Sequence, residues 1–176
     1  MVSECGPVNE AVLPRVVQLL GKTNQFNVTT RRHNEAAVRN MMESAGWWTR
    51  FFKLRDRFGD HGLIGALIAK QVAEAPRTWE IDTWLMSCRV IGRRMEDFML
   101  ATLVEEAKES GVRRLRGVYI PTSKNVLVKD LYTTTGFRQD GQSGEGVTFV
   151  LELEQDPHPR CPFIVRARVE AGASIE

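Results

Sequence analysis

Apolar and polar residues alternate with a period that changes several times along the chain, and each change marks an element. From Trp79 to Cys88 the period is two. Trp79, Ile81, Thr83, Leu85 and Ser87 fall on one face, and Glu80, Asp82, Trp84, Met86 and Cys88 on the other, the pattern of a strand. After Arg89-Val90-Ile91-Gly92-Arg93-Arg94 the period becomes helical, with Phe98, Leu100, Ala101, Leu103, Val104 and Ala107 sharing one side of a helix over Met95–Ser110. Upstream, Val12, Val16, Val17, Leu19 and Leu20 predict a helix from Val8 to Leu20, with Pro14 in its first turn and Gly21 ending it. Lys22 to Arg32 is polar and without period. Asn34 reads as the cap of a second helix that turns Ala37, Val38, Met41 and Met42 inward and stops before Gly46.

Strands follow. Trp48–Arg55 and Leu63–Ala69 flank a Gly59-Asp60-His61-Gly62 turn and predict an antiparallel pair ahead of the Trp79 strand. Gly111 ends the long helix and leads into a strand from Leu115 to Ile120. A helix over Lys124–Thr134 buries Val126, Leu127, Leu131 and Tyr132, and a last strand runs from Val147 to Leu153, with a short strand near Phe137 as an option. One helix joins the Trp79 and Leu115 strands, so the two are parallel with a right-handed crossover. This order predicts a mixed α/β sheet with helices on both faces. One domain is expected over residues 8–154, with a peripheral proline-containing tail over 155–176.

Composition narrows the function. The chain has 176 residues, of which 43% are hydrophobic and 26% charged, ordinary for one globular domain. A net charge of +2 is too small to argue for nucleic acid. No run reaches the length of a membrane span, and the start lacks a signal peptide's regions, so no membrane partner is expected. Cys5, Cys88 and Cys161 stand far apart, which supports neither a disulfide framework nor a zinc site and favours a reducing cytoplasm. His33, His61 and His158 are scattered, and no metal is expected.

Chemistry concentrates where the Trp79 strand turns into the Met95 helix. A strand that passes through a glycine-bearing basic turn into a helix presents free N–H groups and the positive end of the helix dipole, a site for phosphate. The carboxyl ends of the two parallel strands bring Cys88, Arg89 and Gly92 to the same edge as Pro121 to Asn125, where open α/β sheets bind ligands.

The element order, the Arg89-Val-Ile-Gly92-Arg93-Arg94 loop, and Asn125 with Tyr132-Thr-Thr-Thr-Gly136-Phe137 resemble the GCN5-related N-acetyltransferase (GNAT) fold. That fold is a mixed, mostly antiparallel sheet with a parallel pair at its centre and helices on both faces. A narrower resemblance, from about residue 10 to 154, rests on Lys22-Thr-Asn-Gln-Phe-Asn-Val-Thr-Thr-Arg-Arg32, Asp56-Arg-Phe-Gly-Asp60, Trp79-Glu-Ile-Asp-Thr83, Ser87-Cys-Arg-Val-Ile-Gly-Arg93 and Tyr119-Ile-Pro-Thr122 with Lys124-Asn125. These are similar to the carboxyl-terminal domain of FkbH-like proteins. That resemblance implies an acyltransferase of polyketide biosynthesis, moving D-glyceryl onto the phosphopantetheine thiol of an acyl carrier protein. It also implies a HAD-type phosphatase domain on the parent or another chain. The alternatives are a non-catalytic module that docks the carrier and a coenzyme A-dependent N-acetyltransferase.

The resemblance assigns coenzyme A or carrier-bound phosphopantetheine to Arg89, Val90, Ile91, Gly92, Arg93, Arg94 and Asn125. Arg94 departs from the family's loop, which has Gly or Ala there so that backbone can approach a diphosphate. Arg93 and Arg94 instead suit the acidic surface of a carrier. The thiol of Cys88, beside the basic turn, is a candidate nucleophile or else a packing residue. Tyr132 is a candidate acid for the leaving thiolate or else a core aromatic. Glu80 and Asp82, two residues apart on one face, are candidate bases or partners of Arg77 and Arg89. Thr23, Asn24, Asn27 and Thr29 offer short polar groups to a hydroxylated acyl unit, or cap their own turns.

Overall fold

The computed structural model describes residues 1–144 and 146–167. Eight strands form one sheet: β1 (Val2–Pro7), β2 (Trp47–Asp56), β3 (Gly59–Val72), β4 (Ala75–Met86), β5 (Arg114–Tyr119), β6 (Arg138–Ser143), β7 (Gly146–Glu152) and β8 (Val165–Ala167). Their order is β6-β7-β5-β4-β3-β2-β1-β8. All neighbours are antiparallel except β4 with β5 and β1 with β8. The helices are α1 (Leu13–Lys22), α2 (Glu35–Glu43), α3 (Met95–Glu109) and α4 (Leu131–Thr134). The sheet has the expected form, mostly antiparallel with a parallel pair at its centre.

Two apolar layers hold it. Leu13, Val16 and Leu20 of α1 and Val38 of α2 pack with Phe51, Ala66 and Leu85. Phe98, Leu100 and Leu103 of α3 and Leu131 and Tyr132 of α4 pack with Phe52, Ile81, Trp84 and Met86. Local signals set the helix ends in part: α2 is capped as predicted, whereas α1 begins at Leu13 rather than Val8 and runs through Gly21 to Lys22. Asn34 Oδ1 accepts from Ala37 N at 2.8 Å and caps α2. Pro14 sits at the start of α1, where its missing donor costs little.

Four expectations fail for physical reasons. First, β1 and β8 lie outside the predicted limits of 8 and 154, because a six-residue strand bearing Gly6 and Pro7 carries too weak a pattern to read. The segment after 155 is therefore not wholly peripheral, and Ile164 is buried. Second, the β2–β3 turn is Arg57-Phe58, so Gly59 to Gly62 already belong to β3. Third, the predicted helix over 124–134 is a short 3-10 turn at Val126–Val128 followed by the four residues of α4. Val126 and Leu127 are consequently exposed, at 56% each, while Leu131 and Tyr132 are buried.

The fourth failure decides the site. In the β3–β4 pairing Ile68 faces Thr83 and Ala69 faces Ile81, which leaves Asp82 unpaired in a β-bulge. The bulge shifts the phase of β4. Ile81, Trp84 and Met86 share one layer and Leu85 enters the other, so strict alternation across Trp79–Cys88 does not hold.

Candidate functional site

β4 and β5 pair only from Thr78 to Glu80, and then they diverge. The segment Phe26–Thr29, read from the sequence as loop, crosses the wedge between them. Met86 N donates to Phe26 O at 3.1 Å, Val28 N to Trp84 O at 3.3 Å, and Ile120 N to Val28 O at 2.9 Å. Asn125 Nδ2 braces the same segment through Asn27 O at 3.0 Å. Its Oδ1 accepts from Thr122 N at 2.8 Å, so this fully buried side chain spends its bonds inside the protein.

Asp82 sits at the mouth of that wedge, 4% exposed. Oδ1 accepts from Arg31 Nη1 at 2.7 Å, and Oδ2 lies 2.7 Å from His33 Nε2 and 2.9 Å from Thr83 Oγ1. Burial pushes this carboxyl up, but the His33 contact, with Thr83 and Arg31, outweighs it and holds the carboxyl below its ordinary value. Glu80 is occupied separately, 3.3 Å from Lys70 Nζ and 3.5 Å from Arg116 Nη1. Neither carboxylate meets Arg77 or Arg89.

The polar stretch before His33 mostly satisfies itself. Asn27 Oδ1 accepts from Thr30 N at 2.9 Å, where Thr30 adopts a positive φ of 52°. Thr29 Oγ1 donates to Asp82 O at 2.9 Å. Arg32 donates to the Thr23 carbonyl at 3.1 Å and also to Asn24 Oδ1. These bonds tie the loop down and carry Arg31 and His33 to Asp82.

At the far end of β4, Cys88–Val90 forms a 3-10 turn, and Gly92 (φ 82°) and Arg94 (φ 58°) take left-handed conformations before α3 begins. Space in front of Gly92 is open. Among the described residues, the amide hydrogens of Gly92, Arg94, Met95 and Asp97 meet no backbone acceptor. The arginines are committed elsewhere: Arg93 to Asp56, Arg94 Nε to Asp97 Oδ2 at 2.6 Å, and Arg89 Nε to Ser87 Oγ at 3.2 Å. Arg94 also lies over the Phe163 ring at 4.8 Å. Burial, then the charge of Asp97, pushes the Glu96 carboxyl up, and its buried Oε2 has no partner among the described residues.

Cys88 is exposed. It lines a groove of about 530 Å³ with Arg15, Lys22, Thr23, Asn24, Phe26 and Arg89. A second cavity, of about 640 Å³, lies behind α3 against His158 to Ile164, away from the strand ends. Tyr132 is fully buried, stacked on Phe149 and edge-on to Trp84, with its hydroxyl 3.4 Å from Val118 O. Burial pushes that phenol far up. Its ring fills the space that a Cβ on Gly117 would need.

The sequence-derived residues thus fall into three places. Cys88 joins Thr23 and Asn24 at the groove, Asp82 joins Thr29 in the cluster, and Tyr132 stands in the core. Asp82 and Met86 are about 13 Å apart at the rise of a strand, so Cys88 beyond them does not reach Asp82. His33 and Arg31 were not singled out as chemistry. Arg31 stood only within the Lys22–Arg32 motif, and His33 directly after it, with no local pattern to mark either as chemistry.

The overall fold recurs in solved structures. PaiA N-acetyltransferase from Thermoplasma acidophilum, solved in complex with coenzyme A, superposes with a TM-score of 0.68 at 12% identity, over 86% of this chain and 99% of that one. The fold is that of the GNAT acetyltransferases. N-acetylglutamate synthase from Neisseria gonorrhoeae, solved with coenzyme A and N-acetyl-glutamate, gives 0.63 at 15% identity, over 86% of this chain and 35% of that one. IAA acetyltransferase from Bacillus cereus gives 0.60 at 17%, over 85% and 99%. No protein-family model and no curated protein matches the sequence. Among the described residues no helix is long and apolar enough to cross a membrane, and no group of side chains could hold a metal.

Proposed function

We propose that the chain is an acyltransferase whose acyl donor is a coenzyme A thioester. The observation that carries this reading is the approach to α3: acceptor-free amides, open space at a left-handed Gly92, and a position at the diverging ends of the parallel pair. Gly92, Arg94, Met95 and Asp97 would present their amides to the donor's phosphates. The exposed cations Arg15, Lys22 and Arg89 line the adjoining groove and add long-range attraction for an anion. Bound there, the donor supplies an acyl group activated as a thioester. Tyr132, with its hydroxyl on Val118 O, braces the core behind the wedge. Isothermal titration with coenzyme A tests the reading, with pantetheine, which lacks the phosphates, as the control. Micromolar binding of the first and none of the second is expected; equal binding of both overturns the placement.

A second reading replaces coenzyme A by a carrier-borne phosphopantetheine, as the FkbH-like motifs imply. The αL conformation that non-glycine Arg94 holds next to the amides favours it, because this bulk narrows the approach for a nucleotide diphosphate. The partner would be an acidic acyl carrier protein, the acyl group D-glyceryl, and a HAD-type phosphatase domain would act upstream. Cys88, exposed at the groove, would carry the acyl group in transit. Intact-mass spectra of the protein with acyl donor and no carrier check this. A hydroxylamine-sensitive adduct lost in Cys88→Ser is expected, and its absence makes transfer direct. A chain that binds holo-carrier but transfers nothing would be a docking module.

A further inference from the structure

We infer that His33 is the general base of the transfer and that Asp82 positions it, an assignment that rests on the acyltransferase reading above. An ionised carboxylate only accepts, and both oxygens of Asp82 are engaged: Oδ1 by Arg31, Oδ2 by Thr83 and by His33 Nε2. Nε2 therefore carries the hydrogen, and the neutral imidazole keeps its lone pair on Nδ1. Among the described residues Nδ1 makes no hydrogen bond, and the His33 side chain is 16% exposed, enough to be reached from outside.

Charge supports the same role. Arg31, 2.7 Å from Oδ1, already balances Asp82, so the imidazole need not be a cation for the buried carboxylate to be compensated. The remaining titratable groups around the cluster are spoken for. Glu80 is held between Lys70 and Arg116, and the Tyr132 hydroxyl faces Val118 O. Among the described residues, His33 is the one basic group left with a free lone pair at the mouth of the wedge.

Place matters as much as charge. Asp82 is the unpaired bulge residue two positions after the last β4–β5 pair, so the cluster stands where the parallel strands part. From there to the loop before α3 is about 13 Å of strand plus the 3-10 turn, a span that an extended pantetheine arm covers. The acceptor's N–H, O–H or S–H gives its proton to Nδ1 as the heteroatom bonds to the thioester carbonyl carbon. The C–S bond then breaks, and the departing sulfur takes the proton back from His33.

Steady-state kinetics with acetyl-coenzyme A test this, using a primary amine, a hydroxy acid and pantetheine as acceptors and following the coenzyme A formed by chromatography. His33→Ala should lower kcat at least 100-fold, leave KM for acetyl-coenzyme A unchanged, and recover when imidazole is added to the buffer. Asp82→Asn should lower kcat without such recovery. An undiminished rate in His33→Ala, or a loss that imidazole does not restore in a protein with the wild-type circular dichroism, overturns the assignment. So does a wild-type protein that binds coenzyme A yet forms none from acetyl-coenzyme A above background with any acceptor. A wild-type protein that does not bind coenzyme A refutes the acyltransferase reading instead.

Discussion

The middle and the carboxyl end of β4 carry opposite kinds of site. The loop from Cys88 to Arg94 is contiguous, mostly exposed, and built from backbone amides and two left-handed residues. The cluster at Asp82 is buried, and its side chains come from residues about fifty positions apart. The first offers main-chain donors and tolerates many side chains. The second depends on side chains whose charges must balance in a medium that punishes any left unpaired. The same strand thus carries an adaptable backbone turn past its carboxyl end and a demanding polar centre at its bulge.

The strongest way to break that contrast is to remove the carboxylate. Asp82→Ala should cost about 2 kcal/mol of stability, less than the loss for a fully buried pair because the Arg31 side chain is 33% exposed. Chemical denaturation measures it, and a loss within error of zero would make the cluster no more demanding than the loop. The pH dependence sharpens the point. A carboxyl held below its ordinary value of 3.8 adds stability above that pH, and the gain disappears as pH falls through the lower folded value. Asp82→Asn should flatten that part of the acid limb, as read by the urea midpoint between pH 5 and 2.

At the loop, Gly92→Val should cost about 1 kcal/mol, since φ is 82° there, and weaken coenzyme A binding about tenfold or more. Calorimetry that finds unchanged affinity would detach the loop from phosphate. Arg94→Gly should act in the opposite sense. It relieves the φ of 58° and opens the approach, so affinity for coenzyme A should rise a few-fold while the contacts to Asp97 and Phe163 are lost. Cys88→Ser, exposed, should leave the melting temperature within about 1 °C of wild type, whatever it does to transfer.

Legibility followed the same divide. The loop and α3 were readable because a change of period, a glycine and a run of basic residues are local signals. The parallel pair followed from a single intervening helix. The cluster was not readable, because the bulge at Asp82 answers to the pairing with β3 rather than to anything in Trp79–Cys88 itself. His33 reaches Asp82 only because Phe26–Thr29 crosses the wedge, which is a tertiary event. Tyr132 shows the converse. Its spacing to Gly136-Phe137 was visible, but the sequence could not show that a side-chain-free Gly117 lets the ring sink into the core.

The three-residue β8 has a practical consequence of its own. It pairs with Val2, Ser3 and Glu4 and so covers half of β1, whose backbone would otherwise stand open at the rim of the sheet. Pro7, without an N–H, blunts the end that β8 does not reach. Deleting residues from 165 onward would bare that rim to strands of other molecules. Shortened versions of the protein should then self-associate in a concentration-dependent way, visible as a rise in light scattering, while the β4–β5 half of the sheet stays folded.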